Sequence, residues 1–414
     1  MPPTLDPNPR PPMPLQLLAL SLLMFVPYLS AQDAALIARA KAIHDRVLTL
    51  DTHVDINPDN FTPAQSYATK IKTQVNVPAM EEGGLDAVFL VVFVGQGDDF
   101  SPAGLAKATA SALTKFDAID RLVNDLAPGR LALARSAADV RRIYASGKKV
   151  ILIGVENGYQ LGNDLGNVRR FAERGARYLS LAHNGHSHLS DSNTGERDGI
   201  WKHGGLSPLG RQVIAELNKW GIMVDISHPS KASMRQTLDI TQAPIIASHS
   251  AVRSLCNHSR NLDDQQLKAL AQNGGVVQVV AFNSYLKCQP DSPERQQTME
   301  ALRAKYPGGL PDSVRTELNR RFPPQPRATV RDFADHLDYA VKLIGLDHVG
   351  ISSDFDGGGG IEGWSNATET INVTIELVRR GYTEEQIGKL WGGNLLRVME
   401  AVEKTGKRLR GEAS

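Results

Sequence analysis

The chain has 414 residues, 41% hydrophobic and 22% charged, which suits one large α/β domain or two ordinary ones. Its formal net charge is +1, with no Lys/Arg-rich run and no internal repeat, so nothing in the charge balance favours nucleic acid or an acidic membrane as a partner. The two cysteines, Cys256 and Cys288, are too far apart for a CxxC redox motif. In an exported protein they most simply form a disulfide, and the alternative is two buried thiols.

Taken in chain order, the first feature is an apolar run from Leu15 to Val26, ended by Pro27 and followed by the small residues Ser30 and Ala31. Its length suits the core of a cleaved secretory signal spanning 1–31 and is short for a membrane span. A buried N-terminal helix is the alternative. No cysteine follows for lipid attachment, and the polar C-terminus lacks the apolar tail of a GPI signal. The expectation is an exported protein, periplasmic or secreted, whose single mature domain occupies 32–414 without a membrane anchor.

Eight candidate strands follow: Val47–Ile56, Ala87–Val94, Val150–Glu156, Tyr178–His183, Met223–His228, Ile245–His249, Val276–Phe282 and Val349–Asp354. Most are continuously apolar, as parallel strands buried on both faces should be. Amphipathic helices fall between them, at about Ser136–Ser146, Pro208–Trp220, Asp263–Gln272, Val330–Ile344 and Thr383–Val402. Eight β/α units point to a (β/α)8 TIM barrel, with an open doubly wound sheet as the runner-up. Segments 57–85 and 284–328 exceed the repeat and read as insertions at the strand C-termini, where such loops shape a substrate site.

The strand ends carry the chemistry. His53 and Asp55 stand two apart at the end of the first strand, hence on one face, and can grip one divalent ion. Glu156, His183, His228, His249 and Asp354 end the third, fourth, fifth, sixth and eighth strands. In a barrel these seven groups converge on the catalytic face, where two metal ions would satisfy them. His228 and His249 could hold the second ion, and Glu156, with two oxygens, could bridge the pair. His186 and His188 crowd His183, but His183 directly ends its apolar run. Asp225 sits inside its strand and reads as a supporting residue. His348 precedes the last strand and belongs on the opposite face.

Several separated motifs occur in order: Asp51-Thr52-His53-Val54-Asp55, Gly154-Val155-Glu156-Asn157-Gly158, Leu181-Ala182-His183-Asn184, Asp225-Ile226-Ser227-His228, Ser248-His249-Ser250, His348 through Gly357, and Gly393 through Val398. Over roughly 40–405 the chain resembles the membrane (renal) dipeptidase family of binuclear zinc peptidases. The resemblance implies two Zn2+ per chain, with His53 and Asp55 on one, His228 and His249 on the other, and Glu156 bridging. It implies His183 at the scissile carbonyl, Asp354 as proton relay, Arg260 and Tyr285 on the substrate carboxylate, and a Cys256–Cys288 disulfide. Gly185 stands where mammalian members have a second disulfide's cysteine, and the GPI signal is missing.

The expected activity is hydrolysis of dipeptides with a free C-terminal carboxylate, including a C-terminal D-amino acid, through a metal-bridging hydroxide. The alternatives are a lactone, cyclic amide or β-lactam hydrolase on the same barrel, or a non-catalytic metal-dependent binding protein. The partner is a small dipeptide, with a homodimer left open.

Overall fold

The structure, a computed structural model, describes residues 31–288, 292–306, 309–323 and 326–412. The expected signal segment therefore lies outside the described residues except for Ala31, where the first helix, Ala31–His44, begins.

Among the described residues, nine parallel strands form one sheet: β1 Leu50–Asp55, β2 Ala87–Phe93, β3 Leu131–Leu133, β4 Lys149–Glu156, β5 Ala176–Ser180, β6 Met223–Asp225, β7 Ile246–Ser250, β8 Val276–Val280 and β9 Val349–Ser352. Eight run in the order β1-β2-β4-β5-β6-β7-β8-β9. A bridge between Val54 and Phe355, with the Asp55 N–H donating to the Phe355 carbonyl at 2.9 Å, brings the last strand back to the first. The result is the (β/α)8 barrel that the eight apolar runs predict. The extra strand, β3, pairs with the first residues of β4. At three residues it is too short to show a strand period.

The barrel strands are almost wholly buried, which explains their unbroken Val, Ile and Leu runs. Helices pack outside. Pro208–Trp220 starts at an Ser207 cap and stops at Gly221, whose φ of 69° favours glycine. Asp263 caps Asp264–Gln272 and Thr329 caps Val330–Ile344, each in a reciprocal capping box. The predicted helix over 383–402 is instead three pieces, Glu384–Gly388, a π-helical turn Lys389–Gly393, and Asn394–Arg410. The interruption follows Gly388 and carries Gly392 and Gly393, and a Cβ on Gly392 would lie 2.9 Å from the Leu48 side chain. Close approach to the chain entering β1 accounts for the break.

Six of the expected strands end one to three residues early, and at three of them a site residue is left outside: β5 stops at Ser180, β6 at Asp225 and β9 at Ser352, so His183, His228 and Asp354 stand on the loops just beyond. There the backbone leaves the sheet to turn side chains over the barrel mouth. The Asp225 carboxylate accepts from the Ser227 N–H at 3.1 Å, and Asp354 adopts a left-handed φ of 59°. β1 and β7 keep their histidines but shift register around them, between Asp51 and Val54 and between Ala247 and Ser250. Such irregularities re-aim a side chain next to a site.

The two insertions differ in use. Asn57, Asn60, Tyr67, Lys72 and Thr73 of 57–85 line the cavity at the barrel mouth. Of 284–328, Tyr285 alone among the described residues does so, while the helices Pro293–Lys305 and Asp312–Arg321 form a hairpin away from it.

Candidate active site

A cavity of about 580 Å³ opens at the C-terminal ends of the strands, and Asp55, Glu156, His183, His228, His249, Arg260, Tyr285 and Asp354 all line it. His53 lies just below, 1% exposed. Each predicted site residue outside the cysteine pair is thus at one place.

Glu156 is the centre. Its Oε1 lies 3.0 Å from Nε2 of His228, 3.3 Å from Nε2 of His249 and 4.0 Å from Nε2 of His183. Its Oε2 faces Nε2 of His53 at 3.6 Å, and the same nitrogen is 3.6 Å from Oδ2 of Asp55 and 4.0 Å from Oδ1 of Asp354. The two oxygens therefore look toward two different sets of partners. Three donor groups with mutual reach of a single ion overlap here: His53, Glu156 and His249; Glu156, His183 and His228; and His53, Asp55 and Asp354. His183 thus stands among the donors as well as beside the cavity.

These residues fit divalent cations. Two ligands at about 2.0–2.1 Å on a near-tetrahedral ion stand roughly 3.3 Å apart, close to the separations observed. Glu156 Oε1 is buried with no hydrogen-bond partner among the described residues. The Nε2 atoms of His228 and His249 face each other at 3.0 Å, and a cation between such groups satisfies them together.

Supporting contacts fix which nitrogen faces the cluster. The Tyr178 hydroxyl donates to the Thr52 carbonyl at 3.1 Å, and its oxygen accepts Nδ1–H of His53 at 2.9 Å, leaving Nε2 free. Tyr178 fits because residue 154 is glycine: a Cβ there would be 2.0 Å from the Tyr178 ring. For His249, Nδ1 meets the Ser248 hydroxyl at 2.8 Å, and that hydroxyl donates to Asp225 at 2.6 Å. Asp225 is thus the supporting residue its position suggests. Asp51 accepts from the N–H groups of His53 and Ser353, tying β1 to the end of β9.

Charge is shared unevenly. Burial alone would raise Glu156, but His53, His183, His228 and His249 hold it well below the usual carboxylate range. Burial disfavours a charged His53, yet Glu156 and Asp55 outweigh it and push its pKa well up. Burial lowers His228 and His249 well below the ordinary histidine value, helped respectively by Arg260 and His53. Asp354 is pushed up to about 8, by burial first and by Asp55 and Glu156, against His53.

Arg260 is 2% exposed. It donates to the His249 carbonyl at 3.1 Å, sits 5.4 Å from the Tyr285 ring centre, and leaves Nε with no acceptor among the described residues. Its loop is joined to the helical turn of Tyr285 by the Cys256–Cys288 disulfide and by the Asn261 amide, which donates to the Tyr285 carbonyl at 2.8 Å. His336 completes the joint: Nδ1 accepts the Val252 N–H, and Nε2 donates to the Leu286 carbonyl, each at 3.1 Å. His348 bonds the Gly275 carbonyl at the opposite end of the barrel.

The sequence-level reading missed Tyr178, Ser248, Phe93, Lys115 and His336. Ser248 adjoins His249 in the chain, a usable signal. The others sit far in sequence from what they support.

The family model for membrane dipeptidases (Peptidase family M19) matches residues 37–413. The chain belongs to the membrane dipeptidase family. Dipeptidase aclJ of Aspergillus oryzae is 32% identical over 340 residues, 81% of this chain and 72% of the relative. Dipeptidase tcpJ of Claviceps purpurea is 32% identical over 357 residues, 85% and 74% of the two. The crystal structure of the probable dipeptidase PvdM from Pseudomonas aeruginosa superposes with a TM-score of 0.80 at 33% identity, covering 90% of this chain and 99% of that one. This family member is a metal-dependent dipeptidase, and its barrel carries the groups described above that could hold a metal ion. Among the described residues no helix is long and apolar enough to cross a membrane.

Proposed function

We propose that this dipeptidase uses two zinc ions and hydrolyses dipeptides with a free C-terminal carboxylate, tolerating a D-residue at that end. The observation that carries the reading is Arg260, a buried guanidinium beside Tyr285 with an unused donor, on the wall of the cavity that holds the donor set. A planar fork with spare N–H groups suits a carboxylate.

In this reading His53 and Asp55 would hold one zinc and His228 and His249 the other, with Glu156 placed to serve both. Three imidazoles favour zinc over magnesium or calcium. Bound there, the zinc pair would polarise the scissile carbonyl and lower the pKa of the attacking water. The chain's own groups do the rest. Asp354 takes the water's proton on its carboxylate and returns it to the leaving amine. His183 donates from Nε2 to the carbonyl oxygen as negative charge develops. Arg260 and Tyr285 anchor the terminal carboxylate, which limits the substrate to two residues. The D-tolerance rests on the family resemblance.

The test uses the purified chain with zinc on L-Ala-D-Ala, L-Ala-L-Ala and an N-acetylated, C-amidated dipeptide. The expected result is two zincs per chain by elemental analysis and chelator-sensitive cleavage of both free dipeptides, with the blocked one spared. Turnover of lactones, cyclic amides or β-lactams in place of dipeptides would overturn the assignment. Metal binding without any turnover would point to the non-catalytic alternative.

Export is part of the proposal. It is supported by the apolar run Leu15–Val26 and by the disulfide, which belongs to oxidising compartments. N-terminal sequencing of the exported protein should begin near residue 32. An uncleaved chain retained in the cytoplasm would remove this part alone.

A further inference from the structure

The cavity contains a cation that the chemistry above does not use. Lys115 lies on the helix Pro102–Arg121 that follows β2, and its side chain lines the same wall as Phe93. Its Nζ is 5.7 Å from the Phe93 ring centre and donates one long hydrogen bond, 3.3 Å, to the Ile56 carbonyl. It makes no ion pair among the described residues. The carboxylates whose field reaches it are Asp55 and Glu156, both in the donor set. Cations held by that set would consume their charge and leave Lys115 facing the cavity without a counter-ion. A second cation, Lys72, lines the cavity from an exposed position.

Position gives this cation a meaning. Phe93 ends β2, and Arg260 is bonded to the end of β7. In the ring β1-β2-β4-β5-β6-β7-β8-β9, β2 and β7 are four strands apart and so face each other across the mouth. A dipeptide with its carboxylate on Arg260 and its peptide carbonyl over the donor set extends its N-terminal residue toward Phe93 and Lys115. Phe93 offers an apolar wall, its ring also packed on His183 at 4.6 Å. Lys115 offers a positive charge along that wall. Methylene groups followed by a carboxylate match both.

We propose that Phe93 and Lys115 form the subsite for the N-terminal side chain and that it selects an acidic one, glutamate foremost. This rests on the dipeptidase reading with Arg260 as the carboxylate anchor. The experiment compares kcat/KM for Glu-Ala, Gln-Ala, Lys-Ala and Ala-Ala in the zinc-loaded wild-type enzyme and in Lys115→Met and Lys115→Arg. A charge-assisted contact predicts Glu-Ala over its isostere Gln-Ala by about tenfold or more, and Lys-Ala worst of the four. The Glu/Gln ratio should fall to near one in Lys115→Met and persist in Lys115→Arg. A wild-type ratio near one overturns the proposal without any variant, so misfolding of Lys115→Met cannot shelter it. A ratio unchanged in a folded Lys115→Met overturns it too. Cleavage of Ala-Ala alongside either negative result leaves the dipeptidase reading intact, whereas no cleavage of any dipeptide removes both.

Discussion

The donor cluster and the proposed carboxylate clamp share one cavity but are built differently. The cluster gathers at the ends of β1, β4, β5, β6, β7 and β9, on the last residues of the strands or within three residues beyond them, so the barrel sets its positions. The proposed clamp, Arg260 with Tyr285, stands outside the strands, on the segment that folds back against the chain leaving β7 and on a one-turn helix after β8. It depends on local cross-links: a disulfide, the Asn261 amide and His336. The contrast separates two failure modes. Damage to the strand ends should cost metal and turnover, and damage to the clamp should cost substrate affinity.

The sharpest break on the first side is Asp354→Asn. If Asp354 is the proton acceptor proposed above, this change removes it and keeps the size, so kcat should fall by roughly 10²–10⁴-fold with zinc content unchanged. Loss of zinc in that variant would make Asp354 a ligand, as its grouping with His53 and Asp55 allows. On the second side, Arg260→Ala should weaken free-carboxylate substrates by about 2 kcal/mol, some 30-fold in kcat/KM, expressed mainly in KM, with zinc content intact. Tyr178→Phe returns to the first side at one remove. Losing the acceptor for Nδ1–H of His53 should lower zinc affinity by about 10–100-fold in a chelator competition, without altering the substrate KM of the fully loaded enzyme.

The clamp's cross-links give the smaller effects. The disulfide closes a separation of 32 residues, worth about 3–4 kcal/mol on the chain-entropy estimate, though only for unfolding that opens this region. Cys256→Ser with Cys288→Ser should lower the melting temperature and raise KM while leaving zinc stoichiometry at the wild-type value. His336 gives a pH signature. Burial pushes it from the ordinary 6.5 down to about 4, against the Leu286 carbonyl, so the folded chain keeps it neutral where the unfolded chain protonates it. Its stabilisation is complete above about pH 6.5 and is lost as pH falls toward 4. Between pH 7 and 5 the wild type should lose about 2 kcal/mol more than His336→Gln in denaturant unfolding. Equal losses in the two proteins would remove His336 from the account.

The same contrast explains what could be read from the chain alone. Apolar runs ending in His, Asp or Glu exposed the barrel and the members of its donor cluster, because a strand's period and its C-terminal end are local properties. Strand ends were read too long at His183 and His228, where Leu181, Ala182 and Ile226 continue the apolar run past the last strand residue, and at Asp354, which only Ser353 separates from β9. Arg260, Tyr285 and the cysteine pairing came from family resemblance and not from periodicity, as loop residues carry none. His336 and Lys115 were illegible for a further reason. Each lies on an ordinary amphipathic helix and gains its meaning only from segments 50 to 84 residues away that the fold brings against it.

The missing side chain at Gly154 has a consequence beyond packing. The Tyr178 ring occupies the volume in which residue 154 would place a methyl group, and that ring orients His53. Enlarging residue 154 first would evict the tyrosine, and shrinking Tyr178 first would open a void and free the histidine. Neither single step is neutral, so the two positions can drift only as a pair. In related sequences a bulkier residue at the first position should be accompanied by a smaller one at the second.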